Sequence, residues 1–189
     1  KKPYSIFKEK YDLALKNGQK NIEAMSISTY NTEKKEVDSR YVNLKFIDQE
    51  NFIFFTNYNS PKSLAIKSHN QISALFFWQT INIQIRINAK IYRTTEEFNM
   101  NYFKQRSKEK NALAISSNQS QPISSYEEVR KKYNMTKNNG DLDKCPNYWG
   151  GFTFKPFSIE FWEGNEFRLN KRSLFIHNKK CWIQHILEP

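Results

Sequence analysis

Glycine is scarce in this chain, with 5 in 189 residues, and neither GxxxxGK[ST] nor GxGxxG occurs. Glycine-rich loops that cradle phosphate with backbone amides are therefore excluded, and any phosphate must be held by side chains and helix ends. Cysteine and histidine are scarcer still. Cys145 and Cys181 stand far apart with no CxxC, and His69, His177 and His185 offer no ligand spacing with them. That argues against a zinc site and reads each cysteine as a buried or free thiol. No apolar run approaches the roughly 20 residues that span a membrane. GxSxG, HExxH and carboxylate pairs at an informative spacing are also missing. An enzyme built on this sequence would take its chemistry from a bound cofactor. The chain starts Lys1-Lys2-Pro3-Tyr4 and passes into an amphipathic pattern without a secretory leader, so the expectation is a cytoplasmic protein.

What is present is aromatic and basic. Aromatic residues make up 15% of the chain and hydrophobic residues 38%, enough for a core rich in Phe and Tyr. The net charge of +11 comes from lysines that are scattered rather than gathered in a tail. Diffuse charge reads as a solvated surface with a few cations set aside for small phosphorylated ligands, and neither nucleic acid nor membrane is expected as a partner.

Periodicity places a helix over 3–17, with Ile6, Phe7, Tyr11, Ala14 and Leu15 on one side and Gly18 as its stop. Strands follow over 23–30, 37–47 and 52–56, the second alternating Val42, Leu44 and Phe46 with Tyr41, Asn43 and Lys45. Ser60 and Pro61 open a short helix over 61–68. Further strands are expected at 71–78 and 82–93, helices at 95–105, 108–116 and 125–134, and a polar loop over Lys137–Pro146. Strands return at 150–162, 166–169, 173–178 and 181–187. About eight strands with helices between them, and no linker or repeat, indicate a single α+β domain over 1–189, mainly β. The architecture expected is an antiparallel barrel with helical excursions.

Several stretches bear on binding. Trp149-Gly150-Gly151-Phe152 leads through Glu160-Phe161-Trp162 to Arg168 and Arg172, which share a side if the segment is extended. The Gly-Gly pair serves close backbone approach or a positive φ. Arg40 and Lys45 fall on opposite faces of one regular strand, and Lys62 lies in the first turn of a helix. Tyr102, Arg106 and Lys110, at i, i+4 and i+8, would give one helix face a hydroxyl and two cations.

These segments, in this order, resemble the pyridoxine/pyridoxamine 5′-phosphate oxidase family over nearly the whole chain. The resemblance includes Arg40-Tyr41-Val42-Asn43-Leu44-Lys45, Phe55-Thr56 with Lys62, Gln84, Tyr102 with Arg106, Gln119-Ser120, and Trp149 through Arg172. It implies an FMN-binding split barrel, a homodimer, and oxidation of pyridoxamine or pyridoxine 5′-phosphate to pyridoxal 5′-phosphate with molecular oxygen as acceptor. By motif position, FMN would meet Arg40, Tyr41, Val42, Asn43, Leu44, Lys45, Phe55, Thr56, Lys62, Gln84, Gln119, Ser120, Trp162 and Arg172. The B6 vitamer would meet Lys45, Tyr102, Arg106, Lys110, Arg168 and Asn170, with Arg168 as the catalytic residue against the substrate ring. Gln119 and Ser120, on an exposed polar loop, would reach a partner's flavin.

Three positions depart from the family pattern. Pro61 replaces a basic residue, Lys110 a serine and Asn170 a histidine. They leave room for a related flavin oxidoreductase of another aromatic substrate, of the phenazine-pathway type, or for a flavin-binding barrel without catalysis.

Overall fold

A computed structural model describes residues 2–189. The helices are α1 (Lys2–Lys16), α2 (Pro61–Ser68), α3 (Glu96–Gln105), α4 (Lys108–Ser116) and α5 (Tyr126–Asn139). The strands are β1 (Ala24–Asn31), β2 (Glu36–Asn43), β3 (Phe46–Asp48), β4 (Asn51–Asn57), β5 (Gln71–Trp78), β6 (Ile83–Arg93), β7 (Trp149–Glu163), β8 (Lys171–His177) and β9 (Trp182–Leu187). They form one sheet in the order β2-β1-β5-β6-β7-β4-β3, and β8 pairs with β7 and β9. Every pairing is antiparallel. This is the expected split barrel, with nine strands among the described residues where about eight were expected.

The split has a local cause in β7. Its first residues, Trp149–Phe154, pair with β4, and Ser158–Glu163 pair with β8, while β6 runs beside both halves. Between the halves stands Pro156, opposite Ala89, where the β6–β7 register shifts after Asn88. Proline has no N–H for the ladder and is accommodated within a sheet at such a bulge. One long strand thus serves two partners on the same side.

The core follows the period-2 pattern. Ile83, Ile85, Ile87, Ala89 and Ile91 of β6 are all buried, while Arg86, Asn88 and Lys90 face out. From α1, Phe7 meets Phe52 at 5.2 Å and Phe76 and Trp78 at 5.4 Å, each edge to face. Burying such a ring contributes about 1.5–3 kcal/mol, and favourable ring geometry about 0.5–1.5 kcal/mol more per pair. Ala14, seven residues on, lies under the same line and is buried. Leu15, expected inside, is rotated off that line and is 56% exposed. Gly18 ends the helix with φ +77°, and the Gln19 N–H donates to the Ala14 carbonyl.

Four other expectations are corrected. The strand over 37–47 breaks after Asn43. There Leu44 N–H donates to the Glu23 carbonyl and Lys45 N–H to that of Ile53, so the chain changes partners and Arg40 and Lys45 do not share a strand. Helix α5 runs on to Asn139, with the Gly140 N–H donating to Thr136 O, so the polar loop starts later than Lys137. Residues 166–169 form a turn, not a strand, and Arg168 has φ +60°. Finally, neither glycine of the Gly150-Gly151 pair has a positive φ, and what approaches them is side chain rather than backbone. A Cβ on Gly150 would lie 2.3 Å from the Tyr58 hydroxyl and 2.4 Å from Asn99 Nδ2. Buried Asn99 donates to Tyr58 Oη at 3.1 Å and accepts from Gly151 N–H at 2.8 Å, while Tyr58 donates to Gly151 O at 2.9 Å. This network clamps α3 and the β4–α2 turn onto the start of β7, beside Trp149.

Both cysteines are free, Cys181 exposed and Cys145 half-buried. Among the described residues no helix is long and apolar enough to cross a membrane, and no group of three potential metal ligands occurs.

Candidate active site

A cavity of about 480 Å³ opens between the end of β2, the end of β4, the start of α2 and the α3–α4 junction. Its walls include Tyr41, Val42, Asn43, Lys45, Phe55, Thr56, Lys62, Tyr102, Arg106, Lys110 and Gln119, all expected from the sequence. Tyr102, Arg106 and Lys110 get there by another route than one helix face. Arg106 is the C-cap of α3, with ψ 156°, and Ser107 is the N-cap of α4, its hydroxyl accepting from Lys110 N–H. The helix breaks between them, and the junction itself forms the rim.

The cavity floor holds charge without a counter-charge. Lys62 is 7% exposed at the first turn of α2. Its ammonium donates to Thr56 Oγ1 at 3.1 Å, Ser60 Oγ at 3.0 Å and Gln119 Oε1 at 3.0 Å, all neutral acceptors. Burial first, and the nearby Arg40 charge second, push its pKa down to about 8, with Asp38 opposing. A cation at a helix N-terminus also lies at the positive end of the dipole, so the place is set for an anion. Arg106 is comparable: burial lowers its pKa, and its Nη1 is buried with no hydrogen-bond partner. Four cations line the cavity, Lys45, Lys62, Arg106 and Lys110, and none of its lining residues is Asp or Glu.

Beside the charge stands an aromatic wall. Phe55 stacks on Trp149 at 5.1 Å and 13°, meets Tyr102 at 4.1 Å, and Arg106 lies 4.3 Å over the Trp149 ring. Burial raises the Tyr102 pKa against the pull of Arg106, so its hydroxyl keeps its proton and can donate. Flat apolar surface next to unsatisfied cations suits a flat ring that carries a phosphate, and a cavity of this size is ordinary for a cofactor or small substrate. The residues therefore fit FMN, with Lys62 and Thr56 able to hold its phosphate.

The remaining expected residues lie elsewhere. Arg40 points away, donating to Thr29 Oγ1 at 2.8 Å and pairing with Asp38. Leu44 is a core residue, 5% exposed. Ser120, with φ +66°, lines a separate small hollow with Pro122 and Val129. Gln119 bonds its own chain's Lys62 and Thr56.

A second cluster sits on the outer sheet face. Gln84, Trp162 and Arg172 stand side by side across β6, β7 and β8, through the Gln84↔Trp162 and Trp162↔Arg172 pairings. Arg172 Nε donates to Glu160 Oε1 at 2.8 Å, and the same carboxylate accepts from Arg86 at 3.0 Å. Arg168 and Asn170 are in the β7–β8 turn, not on an extended strand with Arg172. None of these five lines the cavity.

Sequence reasoning missed Gln105, Ser107 and the wall role of Trp149, all of which line the cavity. Ser107 carried a usable signal, since a serine ahead of Lys108-Glu109-Lys110 is an N-cap pattern that breaks the preceding helix.

Comparison with known proteins agrees with this geometry. Residues 12–136 match the family model described as pyridoxamine 5′-phosphate oxidase, and residues 149–189 match the pyridoxine 5′-phosphate oxidase C-terminal dimerisation region. The pyridoxine/pyridoxamine 5′-phosphate oxidase of Colwellia psychrerythraea is 35% identical, over 99% of this chain and 87% of its own. Among solved structures, PhzG of Burkholderia lata, in complex with tetrahydrophenazine-1-carboxylic acid, superposes with a TM-score of 0.93. It is 23% identical, over 99% of this chain and 92% of its own. A pyridoxamine 5′-phosphate oxidase-related, FMN-binding protein of Nostoc punctiforme superposes with a TM-score of 0.74. It is 10% identical, over 88% and 87% of the two chains. At these identities the two structures speak for the fold, while the sequence matches go further: the chain belongs to the pyridoxamine 5′-phosphate oxidase family, whose cofactor is FMN.

Proposed function

We propose that the chain is an FMN-dependent oxidase of a B6 vitamer, converting pyridoxamine or pyridoxine 5′-phosphate to pyridoxal 5′-phosphate with molecular oxygen as electron acceptor. The observation that carries this reading is the cavity with four cations and no carboxylate beside a stacked aromatic wall. Two phosphate dianions, one on the cofactor and one on the substrate, balance four cations. Lys62 and Thr56 would hold the flavin phosphate. Lys45, Tyr102, Arg106 and Lys110 would hold that of the substrate. Phe55, Trp149 and Tyr102 supply flat surface and keep water from the ring. When bound, FMN would serve as the acceptor of the hydride, and with it the two electrons, that leaves the substrate carbon. The protein's share is positioning, which can account for several kcal/mol of barrier reduction.

The outer row Gln84, Trp162 and Arg172 and the turn bearing Arg168 complete the site from a second copy in this reading. One chain has two half-sites that line no common cavity, and the C-terminal segment that carries Trp162, Arg168 and Arg172 matches a dimerisation region. The functional unit is therefore a homodimer with Arg168 of the partner subunit against the substrate ring. A phenazine-type substrate would present a carboxylate with one charge and leave the cations less well balanced.

Purified protein should be yellow, run as a dimer in light scattering, bleach its flavin on anaerobic mixing with pyridoxamine 5′-phosphate, and form the aldehyde under air. Flavin-replete protein that stays oxidised in the anaerobic mix would overturn the substrate assignment, and a monomer with full flavin would overturn the shared site.

A further inference from the structure

The β7–β8 turn is held in an unusual state. Arg168 sits at φ +60°, in the left-handed region that a residue with a side chain rarely adopts without support. Its neighbours Phe167 and Leu169 are 84% and 73% exposed, so packing within the chain does not hold it there. Hydrogen bonds do. Arg168 N–H donates to Asn165 O at 3.1 Å, and Phe167 N–H to Asn165 Oδ1 at 3.0 Å. Asn165 is tied in turn by its own N–H, which donates to Asn170 Oδ1 at 3.0 Å. The base of the turn is pinned as well, with Gly164 N–H donating to Asn82 O at 2.9 Å.

We propose that Asn170 is a positioning residue: its carboxamide closes the turn through Asn165 and so fixes Arg168 in its left-handed conformation, without touching substrate. The partner of Oδ1 is a backbone N–H, so the atom there must be an acceptor, and the carboxamide oxygen is committed to the turn. This revises the role expected for Asn170 from its motif position. It rests on the reading in which Arg168 faces the substrate ring. A side chain that reaches out from a turn with no packing of its own has its direction set by the backbone beneath it. Loss of the closing bond would therefore spread Arg168 over several directions.

The test is a double-mutant cycle on the flavin-loaded dimer, read beside amide hydrogen exchange at Asn165. Asn170→Ala should lower kcat/KM roughly three- to tenfold, the loss of about one net hydrogen bond, with flavin content unchanged. In an Arg168→Ala background the same substitution should change nothing further, because there is no guanidinium left to position. Exchange at the Asn165 amide should quicken in Asn170→Ala. Asn170→Asp should restore its protection, since a carboxylate oxygen accepts the same bond. Multiplicative effects of the two alanine variants would mean that Asn170 meets the substrate directly, and would overturn the proposal. So would unchanged exchange at Asn165. If Arg168→Ala alone keeps wild-type kcat/KM, it is the underlying placement of Arg168 that fails, and exchange at Asn165 still reports the latch separately.

Discussion

The cavity under α2 and the outer β6–β7–β8 row contain the same kinds of residue, arginines and lysines beside tryptophan, yet they differ in how their charges are satisfied. In the cavity, Lys62 has only neutral partners and Arg106 Nη1 has none. On the row, Arg172 and Arg86 share Glu160, which is 6% exposed. The first region holds electrostatic free energy in reserve for an anion, whereas in the second both guanidiniums are already paired with one buried carboxylate within the strand ladder. The cavity is thus built as a binding site in one chain. In the proposed reading, the row and its turn become part of a site only when a second copy meets them.

Removing the support of the cavity should have the largest effect. Gly150→Ala puts a methyl 2.3 Å from Tyr58 Oη, inside the network that fixes Trp149. Overpacking at a position with little slack costs roughly 1–3 kcal/mol, and the displaced hydrogen bonds add to it. Thermal unfolding should show a clear drop in Tm, and a variant as stable as the parent would mean that Tyr58 and Asn99 move aside freely. On the other side of the comparison, Arg168→Ala removes an exposed turn residue and should leave both stability and flavin content nearly intact. It should lower kcat/KM about tenfold to a few hundredfold, as the loss of a charge-assisted contact worth about 1.5–3 kcal/mol. Arg168→Lys should recover only part of that, since an ammonium does not reproduce a planar fork. Wild-type kinetics in the flavin-replete alanine variant would remove the turn from the site.

Lys62 sharpens the contrast through pH. Lys62→Ala should weaken FMN binding by roughly 1–3 kcal/mol, the range of a charge-assisted phosphate contact. The free protein holds this lysine at about 8, below its ordinary 10.5. Burying the charged form therefore costs stability below pH 8, and that cost fades between pH 8 and 10.5. Phosphate needs the ammonium, so FMN affinity should be level from about pH 7 to 8 and then fall, approaching tenfold per unit above it. The alanine variant should lose this slope. Titrations that stay flat to pH 9.5 in the parent would show that Lys62 does not carry the phosphate. Arg172 gives no such slope, because its hydrogen bond to Glu160 raises its pKa and it stays charged throughout.

The two regions were also unequally legible in the sequence. Strands with clean alternation, such as Ile83 to Ile91, were readable, and so was α2, where Ser60 and Pro61 mark the start. Lys62 lies on such an element, whereas Lys45, Arg106 and Gln119 lie outside regular elements and follow from motif resemblance. Much of what failed was set by partners outside the stretch being read. Nothing local in 166–169 shows that Asn170 folds back on Asn165, so an alternating strand looked as good as a turn with Arg168 left-handed. The break after Asn43 follows from bonds to Glu23 and Ile53, and the row Gln84–Trp162–Arg172 exists only through the register of three strands. Gly150 was noticed, but its reason lies in Tyr58 and Asn99, remote in sequence.

The smallest effect concerns a cavity cation that stands at the rim. Lys110 is exposed and makes no ion pair among the described residues, and its backbone N–H, not its ammonium, is bound to Ser107. An exposed charge typically contributes up to about 1 kcal/mol and is screened by salt. Lys110→Ser should therefore raise KM for the phosphorylated substrate no more than about fivefold at low ionic strength, leave kcat alone, and lose most of its effect near 0.5 M salt. With a singly charged carboxylate substrate the same change should matter less, since Coulomb attraction scales with the charge it meets. The comparison decides what Lys110 does in place of the serine usual in the family. A larger loss for the carboxylate than for the phosphate ester would place Lys110 on a different group of the substrate and would favour the phenazine-type reading. An effect that persists at high salt would make it a direct phosphate ligand equal to Arg106 rather than a charge at the entrance.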